Sequence, residues 1–186
     1  MKMAHRALSR LPTDLILREY QSDDLQKCSE IYTSNIREFL PNNLGLLIDH
    51  LSQPFSYFLV IETKETVIAC GGMDLFAEAN AAGFNFGLVL RDFHGQGLGT
   101  LLVLTRLALV DDDHDPAHIS LETSVLTEPF YAKFGFERLS SPEQRYLEGT
   151  YYIMMGLWLT ILERNEIRTF LKTLPVRFDF EFSTLP

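Results

Sequence analysis

The sequence has few cysteines and no concentration of positive charge. Cys28 and Cys70 are the only thiols in 186 residues, and both lie in apolar periodic segments. Two buried free thiols are therefore favoured, and a disulfide between them is the alternative. The formal net charge is −9 and no Lys/Arg cluster occurs, which argues against a nucleic-acid partner because such a partner needs a basic face.

Long apolar runs, repeats and metal-ligand spacings are also missing. Residues 1–12 lack the apolar core of a signal peptide, and the most apolar run, residues 151–161, is too short to span a bilayer. The stretch Asp111–Asp115 with His114 fits no defined metal site and is predicted as a solvated loop. We therefore predict a cytoplasmic protein without membrane association or a bound metal.

What the chain does contain is enough apolar material for one well-filled core. Apolar residues make up 46% of the chain and aromatic residues 12%, which favours one domain with an appendage. We predict an N-terminal arm at 1–12, a main domain at 13–159 and a C-terminal extension at 160–186.

Hydrophobic periodicity predicts an α/β chain. Apolar residues at helical spacing predict a first helix after residue 24. The last of these residues is Phe39, and the helix is expected to stop at Pro41. Two more helices are predicted at 44–51 and 97–110. Strands are predicted at 15–18, 57–61, 67–73, 83–90, 119–122, 136–139 and 151–159, with a tight turn around 63–65. Gly71 and Gly72 interrupt the third strand and indicate a bulge.

The C-terminal extension has its own pattern. Residues 162–172 carry a helical stripe, and apolar and charged residues alternate from Val176 to Phe182. This alternation predicts a half-buried strand. Such a strand either adds to the sheet of its own chain or pairs with a partner subunit in a homodimer.

A glycine-rich turn separates the fourth strand from the helix at 97–110. Gly95, Gly97 and Gly99 precede or open a helix whose first N–H groups have no intrahelical partner. These donors and the helix dipole favour a phosphate at this point. The Rossmann fingerprint would need glycine at Thr100, and no P-loop string is present. A turn that merely caps the helix is the alternative.

Two motifs resemble the GCN5-related N-acetyltransferase (GNAT) family. HGQGLG at 94–99 resembles the acetyl-CoA signature [Q/R]-x-x-G-x-[G/A], with His94 at the Gln/Arg position. PFYAKFGF at 129–136 resembles the second signature, a short FYxKxGF helix followed by a strand. The two motifs occur in the order and at the spacing of the family, and the resemblance covers roughly residues 14–159.

The resemblance implies a mixed sheet of about seven strands, flanked by helices, with a helix–strand extension added here. In the family the fourth and fifth strands splay and admit the pantetheine arm of acetyl-CoA, which implies contacts at Leu88, Val89 and Leu90. The pyrophosphate would then lie on the glycine turn. The implied turn residues are His94, Gly95, Gln96, Gly97, Leu98, Gly99 and Thr100.

The resemblance also implies catalytic residues. Tyr131 matches the general acid that protonates the leaving thiolate, although a packed aromatic is the alternative. Glu122 and Asp74 are candidate general bases at predicted strand ends. The predicted catalytic residues are Tyr131 and Glu122. The Asn that the family often carries before this Tyr has no counterpart in residues 123–128.

We therefore predict an acetyl-CoA-dependent N-acetyltransferase that acts on the primary amine of a small molecule. A peptide or protein amine is the nearest alternative. A catalytically silent acyl-CoA-binding or sensory module of the same fold is the alternative from another class. A nucleotide-binding protein without CoA would leave PFYAKFGF unexplained.

Overall fold

The computed structural model describes residues 6–36, 40–53, 57–64, 66–113, 115–145 and 150–182. In this part of the chain the helices are α1 (Leu25–Ser34), α2 (Gly45–Leu51), α3 (Leu98–Ala108), α4 (Glu128–Ala132) and α5 (Ile161–Leu171). The strands are β1 (Leu15–Glu19), β2 (Tyr57–Thr63), β3 (Thr66–Phe76), β4 (Ala81–Val89), β5 (Ala117–Ser124), β6 (Glu137–Arg138), β7 (Glu143–Gln144), β8 (Tyr151–Leu159) and β9 (Val176–Phe178).

The described strands form one mixed sheet with helices on both faces, which confirms the predicted fold class. The order is β6-β8-β5-β4-β3-β2-β1-β9, and β7 also pairs with β8. Leu101 of α3 and Leu171 of α5 belong to the apolar core on one face, whereas Ile31 of α1 and Leu47 of α2 belong to the core on the other. Burial on two faces explains why the central strands read as nearly continuous apolar runs.

The change from antiparallel to parallel pairing occurs between β4 and β5. These strands are parallel neighbours from Ala81↔His118 to Phe84↔Leu121, whereas β4 continues to Val89. The β3–β4 register also shifts between Cys70 and Gly72, where two steps along β3 face three along β4, from Asn85 to Leu88. A bulge thus lies beside the glycines that predicted it, but its extra residue belongs to β4 and not to β3. β4 therefore leaves β5 after Phe84 and opens the sheet.

Several boundaries differ from the predictions. α1 ends at Ser34, short of the predicted end before Pro41, and Phe39 lies outside the described residues, as do His114 and Glu65 of the predicted turn. The two-residue strand β7 was not predicted because it is too short to show a period. Cys28 and Cys70 are buried and free, as expected. In the described part of the chain, no helix combines the length and apolarity that crossing a membrane requires.

The C-terminal strand is shorter than predicted. Only Val176–Phe178 is a strand, and it pairs in parallel with Leu15–Leu17 of the same chain. Beyond it, the rings of Phe178, Phe180 and Phe182 pack edge to face, with centroids 5.2–6.0 Å apart. The alternation at 176–182 thus reflects an aromatic cluster as well as a strand. A homodimer through this segment stays a prediction.

Buried ion pairs tie α5 to the C-terminal end of α3. Arg164 Nε and Arg168 Nη1 lie 3.0 Å and 2.5 Å from the two carboxylate oxygens of Asp112. Arg168 also donates to the carbonyls of Ala108 and Val110, at 2.8 Å and 3.0 Å. A cation at the last carbonyls of a helix is favourable because it complements the helix dipole.

Asp112 is held as a carboxylate by these two arginines. Burial alone would raise the pKa of the Asp112 carboxyl, but hydrogen bonds and charge from Arg168 and Arg164 outweigh it and keep the pKa below its ordinary value. A lowered folded-state pKa stabilises the fold above the unfolded-state pKa, and this contribution disappears as pH falls through the folded-state value.

We predict that Asp112→Asn lowers the free energy of unfolding by about 3 kcal/mol at pH 7, because it leaves two buried guanidinium groups without their anion. Urea unfolding measures this loss. The difference from the parent should be constant above about pH 5 and shrink below about pH 4.

Asp179→Asn is the matched control, because its pair with Arg177 lies at the surface, with side chains 39% and 64% exposed. It should change stability little. Equal losses from both substitutions would contradict the anchoring role of Asp112.

Candidate active site

A cleft of about 790 Å³ opens where β4 leaves β5. The glycine turn, β4, Tyr131 and side chains from the α1–α2 region border this cleft. This volume lies within the range of small-molecule and cofactor sites.

The glycine turn adopts a conformation that requires glycine. Gly95 and Gly97 have φ angles of 75° and 88°, and Gly97 is the N-cap of α3. Few residues with a side chain adopt this left-handed region. The backbone can therefore turn sharply into α3 and present the first N–H groups of the helix to the cleft, as an anion site needs.

Two side chains of the turn fold back onto residues that precede it. His94 Nε2 lies 2.9 Å from the carbonyl oxygen of Val89, and Gln96 Nε2 donates to the carbonyl of Asp92 at 3.3 Å. His94, in the Gln/Arg position of the motif, thus fastens the turn to the end of β4. Leu90 donates its N–H to Ile68 at 2.8 Å. Of the predicted cofactor residues, Leu90 and Gln96 lie outside the cleft lining, whereas the other eight border it.

Asn35 also fixes the end of β4. Its Nδ2 donates to the carbonyl of Val89 at 2.9 Å and to the carbonyl of Ile31 at 2.8 Å. The contacts from Asn35 and His94 together use both lone pairs of the Val89 carbonyl oxygen. Sequence reasoning missed Asn35, because a polar residue that follows a helix gives no sign of a partner on a distant strand.

The N-terminal segment packs on the glycine turn. Residues 6–8 form a helical turn, and Leu8 is buried in the main core. A Cβ at Gly97 would lie 2.5 Å from the carbonyl oxygen of Ala7. The described part of the predicted arm thus lies against the domain and borders the cleft, a position that its sequence does not reveal.

Tyr131 is placed by the short helix α4. Pro129 lies in the first turn of α4, and the Tyr131 ring packs edge to face on Phe130 and Phe136, with centroids 5.1 Å and 5.8 Å away. Its hydroxyl lies beside Gly87 of β4: a Cβ at Gly87 would be 3.2 Å from that oxygen. The packing fixes the ring, and the hydroxyl reaches the splayed part of β4.

Arg106 of α3 is the second polar group beside Gly87, and its place in the site was not predicted. It is 1% exposed and donates to the carbonyls of Leu102, Gly72 and Asn85 at 3.2–3.4 Å. Burial lowers the pKa of Arg106, and the hydrogen-bonded Tyr131 opposes that shift. A sequence signal did exist: LLVLTRLALV is apolar on every helical face, so Arg106 has no solvent side.

The candidate bases occupy different surroundings. Glu122 of β5 borders the cleft, and Arg145 Nη1 lies 2.7 Å from its carboxylate. Asp74 was expected at a strand end, but β3 continues to Phe76 and the Asp74 carboxylate accepts a 2.9 Å hydrogen bond from Asn85. Asp74 does not border the cleft. Glu122 is thus the better placed of the two carboxylates.

Hydroxyl groups occupy the place of the missing Asn. Thr127 Oγ1 contacts the hydroxyls of Thr123 and Ser124, and all three residues border the cleft just before α4. These hydroxyls can donate to or accept from a bound ligand. Other lining residues are apolar or aromatic, among them Tyr32, Leu46, Phe86 and Tyr152.

Known proteins resemble this fold over most of its length. The ribosomal-protein-S18-alanine N-acetyltransferase from Escherichia coli superposes with a TM-score of 0.64 at 16% identity, covering 79% of this chain and 95% of that chain. Ard1 from Thermoplasma volcanium superposes with a TM-score of 0.63 at 20% identity, covering 78% of this chain and 97% of that chain. An N-acetyltransferase from Staphylococcus aureus Mu50 superposes with a TM-score of 0.64 at 13% identity, covering 80% of this chain and 100% of that chain. These likenesses concern the fold alone.

A sequence profile matches the middle of the chain. The profile described as "Acetyltransferase (GNAT) domain" matches residues 54–138, which contain both the glycine turn and Tyr131. The chain resembles this family over these residues, as the two motifs predicted. The match supports the predicted acetyl-CoA-dependent N-acetyltransferase. No curated protein sequence matches the chain.

The chain offers little for a metal ion. Across the described ranges, no group of three or more His, Cys, Asp or Glu side chains could hold one. The residues that border the cleft do fit acetyl-CoA, because the turn offers N–H groups to a pyrophosphate and the edge of β4 past Phe84 is free of β5.

We predict that Gly95→Asp weakens acetyl-CoA binding at least about tenfold relative to Gly95→Asn, because a carboxylate near the pyrophosphate costs about 1–3 kcal/mol. Gly95 suits this comparison: a Cβ there meets nothing within 4 Å, and Asp and Asn both tolerate positive φ. Titration calorimetry measures the affinities, and melting checks the fold. Equal affinities would place the pyrophosphate elsewhere. Gly97 is unsuitable because its Cβ would strike Ala7.

Proposed function

We propose that this protein is a GNAT enzyme that transfers the acetyl group of acetyl-CoA to the primary amine of a small molecule, with Tyr131 as the general acid. One observation carries the proposal: the glycine turn and the Tyr131 hydroxyl both border the cleft that opens where β4 leaves β5. A phosphate held at the turn would direct the pantetheine arm along β4 toward Tyr131.

The reaction is a direct attack on the thioester. The neutral amine nitrogen attacks the thioester carbon, the C–N bond forms and the C–S bond breaks. A backbone N–H of the splayed part of β4 polarises the thioester carbonyl. Tyr131 donates its hydroxyl proton to the departing thiolate and regains a proton from solvent. The proton lost by the amine leaves through water or through Glu122, the one carboxylate among the described lining residues.

The lining favours an acceptor with an apolar body. Tyr32, Leu46, Phe86 and Tyr152 border the cleft. The Tyr32 hydroxyl is directed to the carbonyl of Pro41, 3.1 Å away, so this ring presents apolar surface rather than a free donor. An aliphatic or aromatic primary amine fits these walls better than an acceptor with several charges. A cytoplasmic location stays a prediction.

The test of the acceptor is a panel of amines assayed by release of free CoA thiol. We expect turnover with apolar primary amines, weaker turnover with polycationic amines and little with peptides. Preferred turnover of peptide N-termini or lysine side chains would instead favour a protein acceptor. Acetyl-CoA binding without thiol release for any amine or peptide would favour the sensory alternative.

We predict that Tyr131→Phe lowers kcat about 10²-fold, at the low end for a general acid because a thiolate is a good leaving group. The substitution keeps the ring and its packing on Phe130 and Phe136. Acetyl-CoA affinity should stay unchanged, and kcat and kcat/KM should fall together. Stopped assays for turnover and calorimetry for binding measure the two effects. A parental kcat in the folded variant would make Tyr131 a packing residue.

A further inference from the structure

Arg106 places a buried positive charge against the proposed acid. No carboxylate in the described ranges forms an ion pair with its guanidinium, and Tyr131 is its hydrogen-bond partner at the cleft. A buried charge without a counterion is unfavourable unless other groups solvate it. Its presence in a helix with no other charged residue therefore calls for an explanation at the site.

The surroundings hold this guanidinium rigidly. Nε donates to Leu102, and Nη1 donates to Gly72 and Asn85. The Phe84 ring lies beneath the guanidinium, with its centroid 4.3 Å from Cζ. These contacts solvate the charge with carbonyl dipoles and an aromatic face, which leaves the Nη2 edge next to the Tyr131 hydroxyl.

The contact fixes the direction of the Tyr131 proton. Arginine has only hydrogen-bond donors, so the Tyr131 oxygen must accept from it. The O–H of Tyr131 is then free to point away from Arg106, toward the cleft that both residues border. The positive charge also faces the oxygen that becomes negative when the proton leaves.

We propose that Arg106 is a positioning residue for Tyr131: it accepts no proton and touches no substrate, but it orients the phenol for donation to the CoA thiolate. This proposal rests on the proposed role of Tyr131. Gly87 is part of the arrangement, since a Cβ there would lie 3.0 Å from Arg106 Nη2 and 3.2 Å from the Tyr131 hydroxyl. Any side chain at this position would intrude between the two groups.

The test is a double-mutant cycle on kcat with Arg106→Gln and Tyr131→Phe. Arg106→Gln should lower kcat on the order of tenfold in the parent, as part of the general-acid factor. It should lower kcat less than about twofold in the Tyr131→Phe background, because the proton it orients is gone. Acetyl-CoA affinity, measured by calorimetry, should remain within about twofold of the parent in both backgrounds.

Arg168→Gln is the matched control, because Arg168 is also buried and lies outside the cleft lining. It should lower the melting temperature and leave kcat unchanged where the protein is folded. If Arg106→Gln does not fold, Gly87→Ala takes its place in the cycle. The added methyl group separates the Arg106 guanidinium from the Tyr131 hydroxyl and leaves both side chains in the protein.

The outcomes separate the two proposals. An equal loss from Arg106→Gln in both backgrounds, or no loss in the parent, overturns the positioning role while Tyr131 remains the acid. A parental rate for Tyr131→Phe alone overturns the acid and the positioning role together.

Discussion

The parallel pairing of β4 with β5 ends at Phe84 and Leu121, and the site depends on this limit. If the pairing continued to Val89, β5 would occupy the edge of β4 along which the cofactor is proposed to lie. The bulge opposite Cys70 and Gly72 bends β4 at the same level, and Asn35 and His94 hold its far end. The opening is therefore a property of the backbone rather than of mobile side chains.

Helix α3 connects this opening to the rest of the fold. Its N-terminus borders the proposed pyrophosphate site, Arg106 in its last turn reaches under β4, and its C-terminal carbonyls accept from Arg168. Three functions thus depend on the placement of one helix. The side chains of α3 are buried nearly all round the helix. A rotation of α3 about its own axis is excluded because it would move the buried Arg106 guanidinium away from its hydrogen-bond acceptors.

Local spacing made much of this predictable. The glycine turn, the helix after it and Tyr131 are encoded in short segments whose conformations are set by neighbouring residues. Arg106, Asn35 and Ala7 could not be placed in the same way, because each acts on a segment far away in sequence. The tail was misjudged for a related reason: alternation alone does not distinguish strand pairing from aromatic packing.

The pairing of β9 with β1 has a consequence for how the protein is made. Among the described strands, β1 is the first to be synthesised and β9 is the last. Until then, the outer edge of β1 presents unpaired backbone groups to other chains. During synthesis this edge is the natural point for chaperone binding or misassociation. A permuted chain in which β9 directly precedes β1 would make the two strands neighbours in sequence and shorten that exposure.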